Sequence, residues 1–277
     1  MLPGRLFIEG ESRRTTPEGV WRALEGAKLI RGKVTLITGA AAGIGKACAR
    51  LFAHQGGRLA LADLEEEGLN RVCREIQSAG GEAIPIAADV TREQDMDRLF
   101  HQVGAAYGGL DILVNNAGGG LPTDFFSISA EEWNRVLGLN LTSVFLLSRR
   151  AAGFFRQRGG GAIVNLSSQA GRSVSPTAGV HYTASKAGVL GLTRHMARLL
   201  GPDRIRVNAV CPGITNSERL MKRVKEKGTE EALKRSVPLG RIGDVDEVAA
   251  CCLFLASDLA GYVTGAALDV NGGSLML

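Results

Sequence analysis

From Lys33 onward, short runs of Val, Ile, Leu and Ala alternate with longer segments of helical length and mixed polarity. The first run, "KVTLITG", leads into the helical stretch "GIGKACARLFAHQG", and a second run, "RLALAD", follows. The rhythm continues through "EAIPIAADV", "LDILVNNAG", "GAIVNLSS" and "IRVNAVCPG", and "GAALDVNGG" closes the chain. Continuous apolar runs are what strands need when both of their faces are covered, whereas half-exposed strands alternate. The pattern therefore predicts an α/β fold: one doubly wound sheet of seven parallel strands with helices on both faces. No repeat, low-complexity tract or linker interrupts it, so residues 33–277 read as one domain and residues 1–32 as an N-terminal extension. In such sheets ligands bind beyond the carboxyl ends of the strands, and candidate chemistry is sought there.

The first strand runs into "TGAAAGIG", Thr38 to Gly45, and directly into a helix. Gly39, Gly43 and Gly45, with Ala42 and Ile44 between them, allow a tight turn and close approach of a pyrophosphate to the helix N-terminus. The spacing is G-x-x-x-G-x-G and departs from the generic G-x-G-x-x-G, so a loop that is merely tight is the competing reading. The second strand ends at Asp63, eighteen positions beyond Gly45, where a carboxylate is expected to accept hydrogen bonds from an adenosine ribose. A carboxylate repels a 2′-phosphate, and neither Ala41, Ala42 nor Leu64 offers a compensating cation, which favours NAD over NADP. Capping of the next helix is the alternative for Asp63. Asp89 and Val90 are expected to end the third strand, within reach of an adenine amino group. "NNAG", Asn115 to Gly118, ends the fourth; its amides can tie neighbouring strand ends while Ala117 and Gly118 leave room for a cofactor, although a plain strand-end turn also fits.

Composition narrows the function classes. The net charge is +5, but residues 1–33 hold seven Lys/Arg against four Glu, a net +3, which leaves only +2 for the rest. That is too little for a basic binding face, and no aromatic residues interleave with the charges, so nucleic-acid binding is disfavoured. The five cysteines, Cys48, Cys73, Cys211, Cys251 and Cys252, are odd in number, lack C-x-x-C spacing and sit among apolar residues, as reduced thiols of a cytoplasmic protein do. His54, His101, His181 and His195 have no carboxylate or thiol at ligand spacing, so no metal is expected. No stretch reaches the length of a signal core or a membrane span, which predicts a soluble protein.

In "HYTASK", Tyr182 and Lys186 are four positions apart and would share a helical face. Before them stand the Gly-rich turn, the acidic strand end, "NNAG", Asn140 in "GLNLTS" and Ser168 in "NLSSQAG". In this order the motifs resemble those of the classical short-chain dehydrogenase/reductase family, with T-G-x-x-x-G-x-G, N-N-A-G and Y-x-x-x-K all present. The likeness runs from about Lys33 to the C-terminus.

The resemblance implies a Rossmann-type fold and a catalytic tetrad of Asn140, Ser168, Tyr182 and Lys186. Tyr182 would be the general acid/base; a free phenol titrates near ~10, so Lys186 would favour the phenolate and also hold the nicotinamide ribose. Ser168 would bind the substrate oxygen, and Asn140 a water leading from Lys186 to solvent. Asn116, Ala117 and Gly118 would line the cofactor, as would Pro212, Gly213 and Ile214 of "CPGITNS", with Thr215 or Ser217 as the following hydroxyl. Ser168 precedes Tyr182 by fourteen positions, one more than is usual in the family, which implies an insertion within "GRSVSPTAGV"; Ser167 would lie further out of register. "NSERLMKRVKEKGTEEALKR" resembles the variable substrate lid, or is a solvated helix pair. The expected activity is NAD(H)-dependent hydride transfer between nicotinamide and a secondary alcohol or ketone, by a homodimer or homotetramer. An NADPH-dependent 3-oxoacyl-thioester reductase is the alternative, and a non-catalytic dinucleotide sensor is disfavoured by the complete tetrad.

Overall fold

The computed structural model describes residues 26, 28–175 and 178–277, without the side chains of residues 219, 223 and 227. Most of the expected extension, and residues 176–177 of the loop expected to carry the insertion, lie outside the described residues. Seven strands form one parallel sheet in the order β3-β2-β1-β4-β5-β6-β7. They are β1 (Val34–Thr38), β2 (Arg58–Asp63), β3 (Glu82–Ala87), β4 (Ile112–Asn115), β5 (Gly161–Leu166), β6 (Ile205–Pro212) and β7 (Ala267–Val270). The order reverses between β1 and β4, which pair in register from Thr35–Ile112 to Ile37–Val114 and open a crevice at their carboxyl ends. Pro85 costs the ladder little because β3 is an edge strand.

All five residues of β1 are buried, as a central strand requires, and successive side chains feed two separate cores. Ile37 joins one core with Leu51 and Phe52 of α1 (Gly43–His54), Leu69 and Val72 of α2 (Glu66–Ser78), and Cys252 and Leu253 of α9 (Val245–Ala256). Leu36 joins the other with Leu99 and Phe100 of α3 (Glu93–Tyr107), Leu147 and Phe155 of α5 (Ser143–Arg158), and Met196 of α6 (Val180–Leu200). A fully buried Phe or Leu contributes about 1.5–3 kcal/mol, so the two helical layers fix the strand ends firmly. Between them, Asn115 Nδ2 donates to Asn165 Oδ1 at 2.9 Å and Asn165 Nδ2 donates to Thr193 Oγ1 at 2.9 Å, which locks β4, β5 and α6 together.

α4 (Ala130–Leu137) and α5 are joined by a π turn, Gly138–Thr142, which turns Asn140 inward. The charged segment after β6 forms α7 (Glu218–Lys227) and α8 (Glu230–Arg235), a helix pair as expected. All five cysteines are free, and four are buried. Among the described residues no helix is long and apolar enough to cross a membrane.

One expectation is corrected. β3 ends at Ala87, so Asp89 and Val90 lie beyond the ladder. The Asp89 carboxylate accepts from Thr91 N and Oγ1 at 2.8 and 2.6 Å, and its amide donates to Asp95 at 2.9 Å. These local bonds turn the chain into α3 before it can continue the strand.

Candidate active site

A cleft of about 470 Å3 follows the carboxyl ends of the strands. At one end Gly39, Ala42, Gly43 and Ile44 line it, with Asp63, Asp89 and Val90 beside them. Gly45 lies beneath. A Cβ there would stand 2.0 Å from the Gly39 carbonyl oxygen, so the turn closes on itself only with glycine at that position. The α1 N-cap, Ala42, makes no side-chain cap and the first turn holds no acid, which leaves the helix N-terminus suited to a phosphate. Asn116 secures this turn from the neighbouring strand, its Nδ2 donating to the Thr38 and Gly39 carbonyls at 2.9 Å each. Thr38 Oγ1 returns the tie by accepting from Asn116 N and Ala117 N at 3.1 Å. Asp63 is held by two backbone donors, Ala41 N on Oδ2 at 2.9 Å and Glu65 N on Oδ1 at 3.1 Å. The side chain that caps α2 is Glu65 rather than Asp63, through Gly68 N at 2.8 Å.

Gly118, Ser168, Tyr182, Lys186, Pro212, Gly213 and Thr215 line the rest of the cleft, while Ala117 and Ser217 stand beside the turn: a Cβ on Gly39 would lie 2.9 Å from Ala117 Cα and one on Gly43 3.5 Å from Ser217 Cβ. Ile214 instead faces an adjoining recess of about 240 Å3, shared with Ser168, Gln169, Tyr182, Thr215, Leu220 and Leu233. Both hydroxyl candidates, Thr215 and Ser217, face both spaces. Tyr182 and Lys186 sit one turn apart on α6 as their spacing predicts, with Lys186 Nζ 5.7 Å from the Tyr182 ring centre. Lys186 is buried and donates to the Leu166 carbonyl at 2.6 Å. Burial lowers its pKa to about 8, with Cys211 opposing the shift. Ser168 Oγ accepts from Ala170 N at 3.1 Å, so its own proton remains to be donated into the cleft. Ser167, by contrast, is buried and its hydroxyl donates to the Lys186 carbonyl at 2.8 Å. Asn140 is fully buried and clasps one backbone unit: Nδ2 donates to Gly119 O at 2.8 Å and Oδ1 accepts from Gly119 N at 2.9 Å. A Cβ on Gly118 would lie 2.6 Å from Asn140 Oδ1 and 3.3 Å from Lys186 Nζ, so the loop threads between the two side chains.

This arrangement has close counterparts. The family described as enoyl-(acyl carrier protein) reductase matches residues 39–274. A short-chain type dehydrogenase/reductase from Mycobacterium marinum superposes with a TM-score of 0.84 at 36% identity, covering 90% of this chain and 98% of the other. The protein belongs to the short-chain dehydrogenase/reductase family. A 7α-hydroxysteroid dehydrogenase complexed with NADH and 7-oxo glycochenodeoxycholic acid also superposes on this dehydrogenase/reductase at TM-score 0.84 and 37% identity, covering 89% and 95% of the two chains. A 3-oxoacyl-(acyl-carrier-protein) reductase of Thermotoga maritima is 39% identical over 244 residues, 88% of this chain and 98% of its own.

Several groups of this dehydrogenase/reductase site carry no signal in the sequence. The Leu166 carbonyl that receives Lys186 is a backbone atom, and Gly119 is one glycine of three in a row. His181 has no carboxylate at ligand spacing along the sequence. In the fold its Nε2 meets Glu132 Oε1 at 2.9 Å, 49 positions away in the chain. Spacing along a chain reveals local partners such as Tyr182 and Lys186, and it is blind to one delivered by a separate helix.

Proposed function

We propose that this dehydrogenase/reductase interconverts secondary alcohols and ketones with NAD(H), using Tyr182 as general acid/base. The observation that carries the reading is the meeting of Tyr182, buried Lys186 and a proton-donating Ser168 at one end of a cleft whose other end holds a phosphate-ready helix terminus and Asp63. The cleft suits an extended dinucleotide: Gly39, Gly43 and Ile44 would receive the pyrophosphate, Asp63 the adenosine ribose and Lys186 the nicotinamide ribose. When bound, the nicotinamide supplies the hydride acceptor or donor. Ser168 Oγ holds the substrate oxygen by donating its hydrogen bond. Tyr182 Oη takes the hydroxyl proton in oxidation and returns it to the carbonyl oxygen in reduction. The Lys186 ammonium, held by the Leu166 carbonyl, favours the phenolate. Asn140 acts through the backbone by holding Gly119 beside these groups.

NAD is favoured because the Asp63 carboxylate, on the cleft wall at the end of β2, would repel a 2′-phosphate on an adenosine ribose bound there, and Lys186 is the one cation among the described lining residues. The second reading, an NADPH-dependent 3-oxoacyl-thioester reductase, rests on the Thermotoga relative. A screen of NAD and NADP against sugar alcohols, hydroxy acids, hydroxysteroids and 3-hydroxyacyl thioesters separates the two. Turnover with NAD on an alcohol class is expected; turnover only with NADP on thioesters would replace this reading with the second. Exposed Phe145 on α5 and Phe254 on α9 support a homodimer or homotetramer, which light scattering would size.

A further inference from the structure

Beside Tyr182 lies a set of polar groups that the proton transfer does not use. His181 is completely buried, with Nε2 2.9 Å from Glu132 Oε1. Thr123 donates to the same carboxylate oxygen at 2.5 Å. On the other side of the ring, the Tyr182 amide donates to His181 Nδ1 at 2.9 Å and shares its proton with Gly179 O at 3.1 Å. A backbone amide can only donate, so Nδ1 carries no proton and the ring proton sits on Nε2, directed at Glu132. The hydrogen bonds from Thr123 and then His181 hold the Glu132 carboxyl below its ordinary pKa, as an acceptor needs.

These bonds tie together three separate segments of the chain. Thr123 belongs to the loop after β4, Glu132 to α4, and His181 to the first turn of α6, whose N-cap Gly179 offers no side chain. The loop is fastened again where Gly179 N donates to Leu121 O at 2.8 Å. Just ahead of both fastenings it packs against the tyrosine: a Cβ on Gly120 would stand 2.8 Å from the Tyr182 ring. The ring is thus held from the loop side and its backbone from the histidine side. An apolar residue at position 181 would pack as well without the cost of burying an imidazole, but it would hold neither the amide nor the carboxylate in a fixed direction.

We propose that Glu132 and His181 are positioning residues that set the reach of the Tyr182 hydroxyl toward the substrate oxygen. The inference rests on the reading of Tyr182 as the proton carrier. Displacement of a reacting group by about 1 Å can cost on the order of 10²-fold in rate, so small losses of alignment are measurable.

The test compares Glu132→Ala, Glu132→Gln, His181→Leu and Tyr182→Phe in the full-length protein, measuring kcat, KM, NADH affinity by fluorescence, and the primary deuterium isotope effect. Glu132→Gln keeps an acceptor oxygen for Thr123 and His181 and removes only the charge. Glu132→Ala and His181→Leu are expected to lower kcat about tenfold or more, with NADH affinity within about twofold and a larger isotope effect, while Glu132→Gln keeps kcat within about threefold. Should His181→Leu not fold, the Glu132 pair carries the test, because that side chain lies partly at the surface. An unchanged kcat in Glu132→Ala overturns the proposal, as does a parallel fall of kcat and NADH affinity in both Glu132 variants. Full activity in Tyr182→Phe would remove the reading beneath it, whereas an inactive Tyr182→Phe beside a fully active Glu132→Ala refutes the positioning role alone.

Discussion

The two ends of the cleft are built by different means. At the turn end the working surface is backbone, shaped by glycines within eight consecutive residues and tied down by Thr38 and Asn116. At the chemical end it is side chains from three separate segments: Ser168 just beyond β5, Tyr182 and Lys186 from α6, and Thr215 from the stretch before α7, with Asn140 of the π turn buried behind them. A backbone site tolerates few substitutions and holds a ligand feature common to all dinucleotides. A side-chain site can be altered one group at a time, which is where substrate choice is expected to reside.

Substitutions should separate the two ends, and the largest effect is expected at the backbone end. Gly45→Ala puts a methyl 2.0 Å from the Gly39 carbonyl with no flexible side chain to give way. Loss of NADH binding is expected, with destabilisation of about 3 kcal/mol or more; unaltered binding and Tm would show that the turn is not the cofactor cradle. At the chemical end the neighbouring serines should differ sharply. Ser168→Ala is expected to lower kcat about 100-fold with NADH binding kept, while Ser167→Ala, which loses its bonds to the Lys186 carbonyl and to the Cys211 thiol, costs about 1 kcal/mol of stability and little rate. Equal rate losses would contradict that assignment. Asp63→Ser should shift the NAD/NADP ratio of kcat/KM about tenfold toward NADP, leaving the chemical step alone.

The smallest effect concerns Lys186. Its folded pKa, about 8, lies below the unfolded value of 10.5, so between those values the unfolded chain binds more protons and stability rises with pH. The cofactor-free wild type should therefore gain on Lys186→Met from about pH 8 to about pH 10, by about 3 kcal/mol at most. A flat difference in denaturant unfolding would mean that the lysine is hydrated.

The same contrast explains what the sequence could reveal. Central strands are buried on both faces and have to be continuous apolar runs, and the half-exposed edge strands β3 and β7 still stand out as short apolar runs between polar helical segments, so all seven are legible, with β2 running from Arg58 to Asp63. Gly39 to Gly45 and the Tyr182–Lys186 pair are legible because their spacing is local in sequence, and Asp63 because it closes the apolar run of β2. Asp89 was misplaced on a strand because its side chain bonds to Thr91 two residues on, a competition with the ladder that hydropathy does not register. The inward turn of Asn140, the carbonyl that receives Lys186 and the Glu132–His181 bond were hidden, since each depends on segments that only the fold brings together.

The central claim is that Tyr182 moves the proton in a nicotinamide-dependent reaction. Its most direct test is steady-state turnover of Tyr182→Phe beside the wild type on the alcohol that the cofactor screen identifies, with NADH binding measured on the same preparations. A fall in kcat on the order of 10³-fold with unchanged NADH affinity is the predicted result. Turnover by the phenylalanine variant at the wild-type rate would contradict the account.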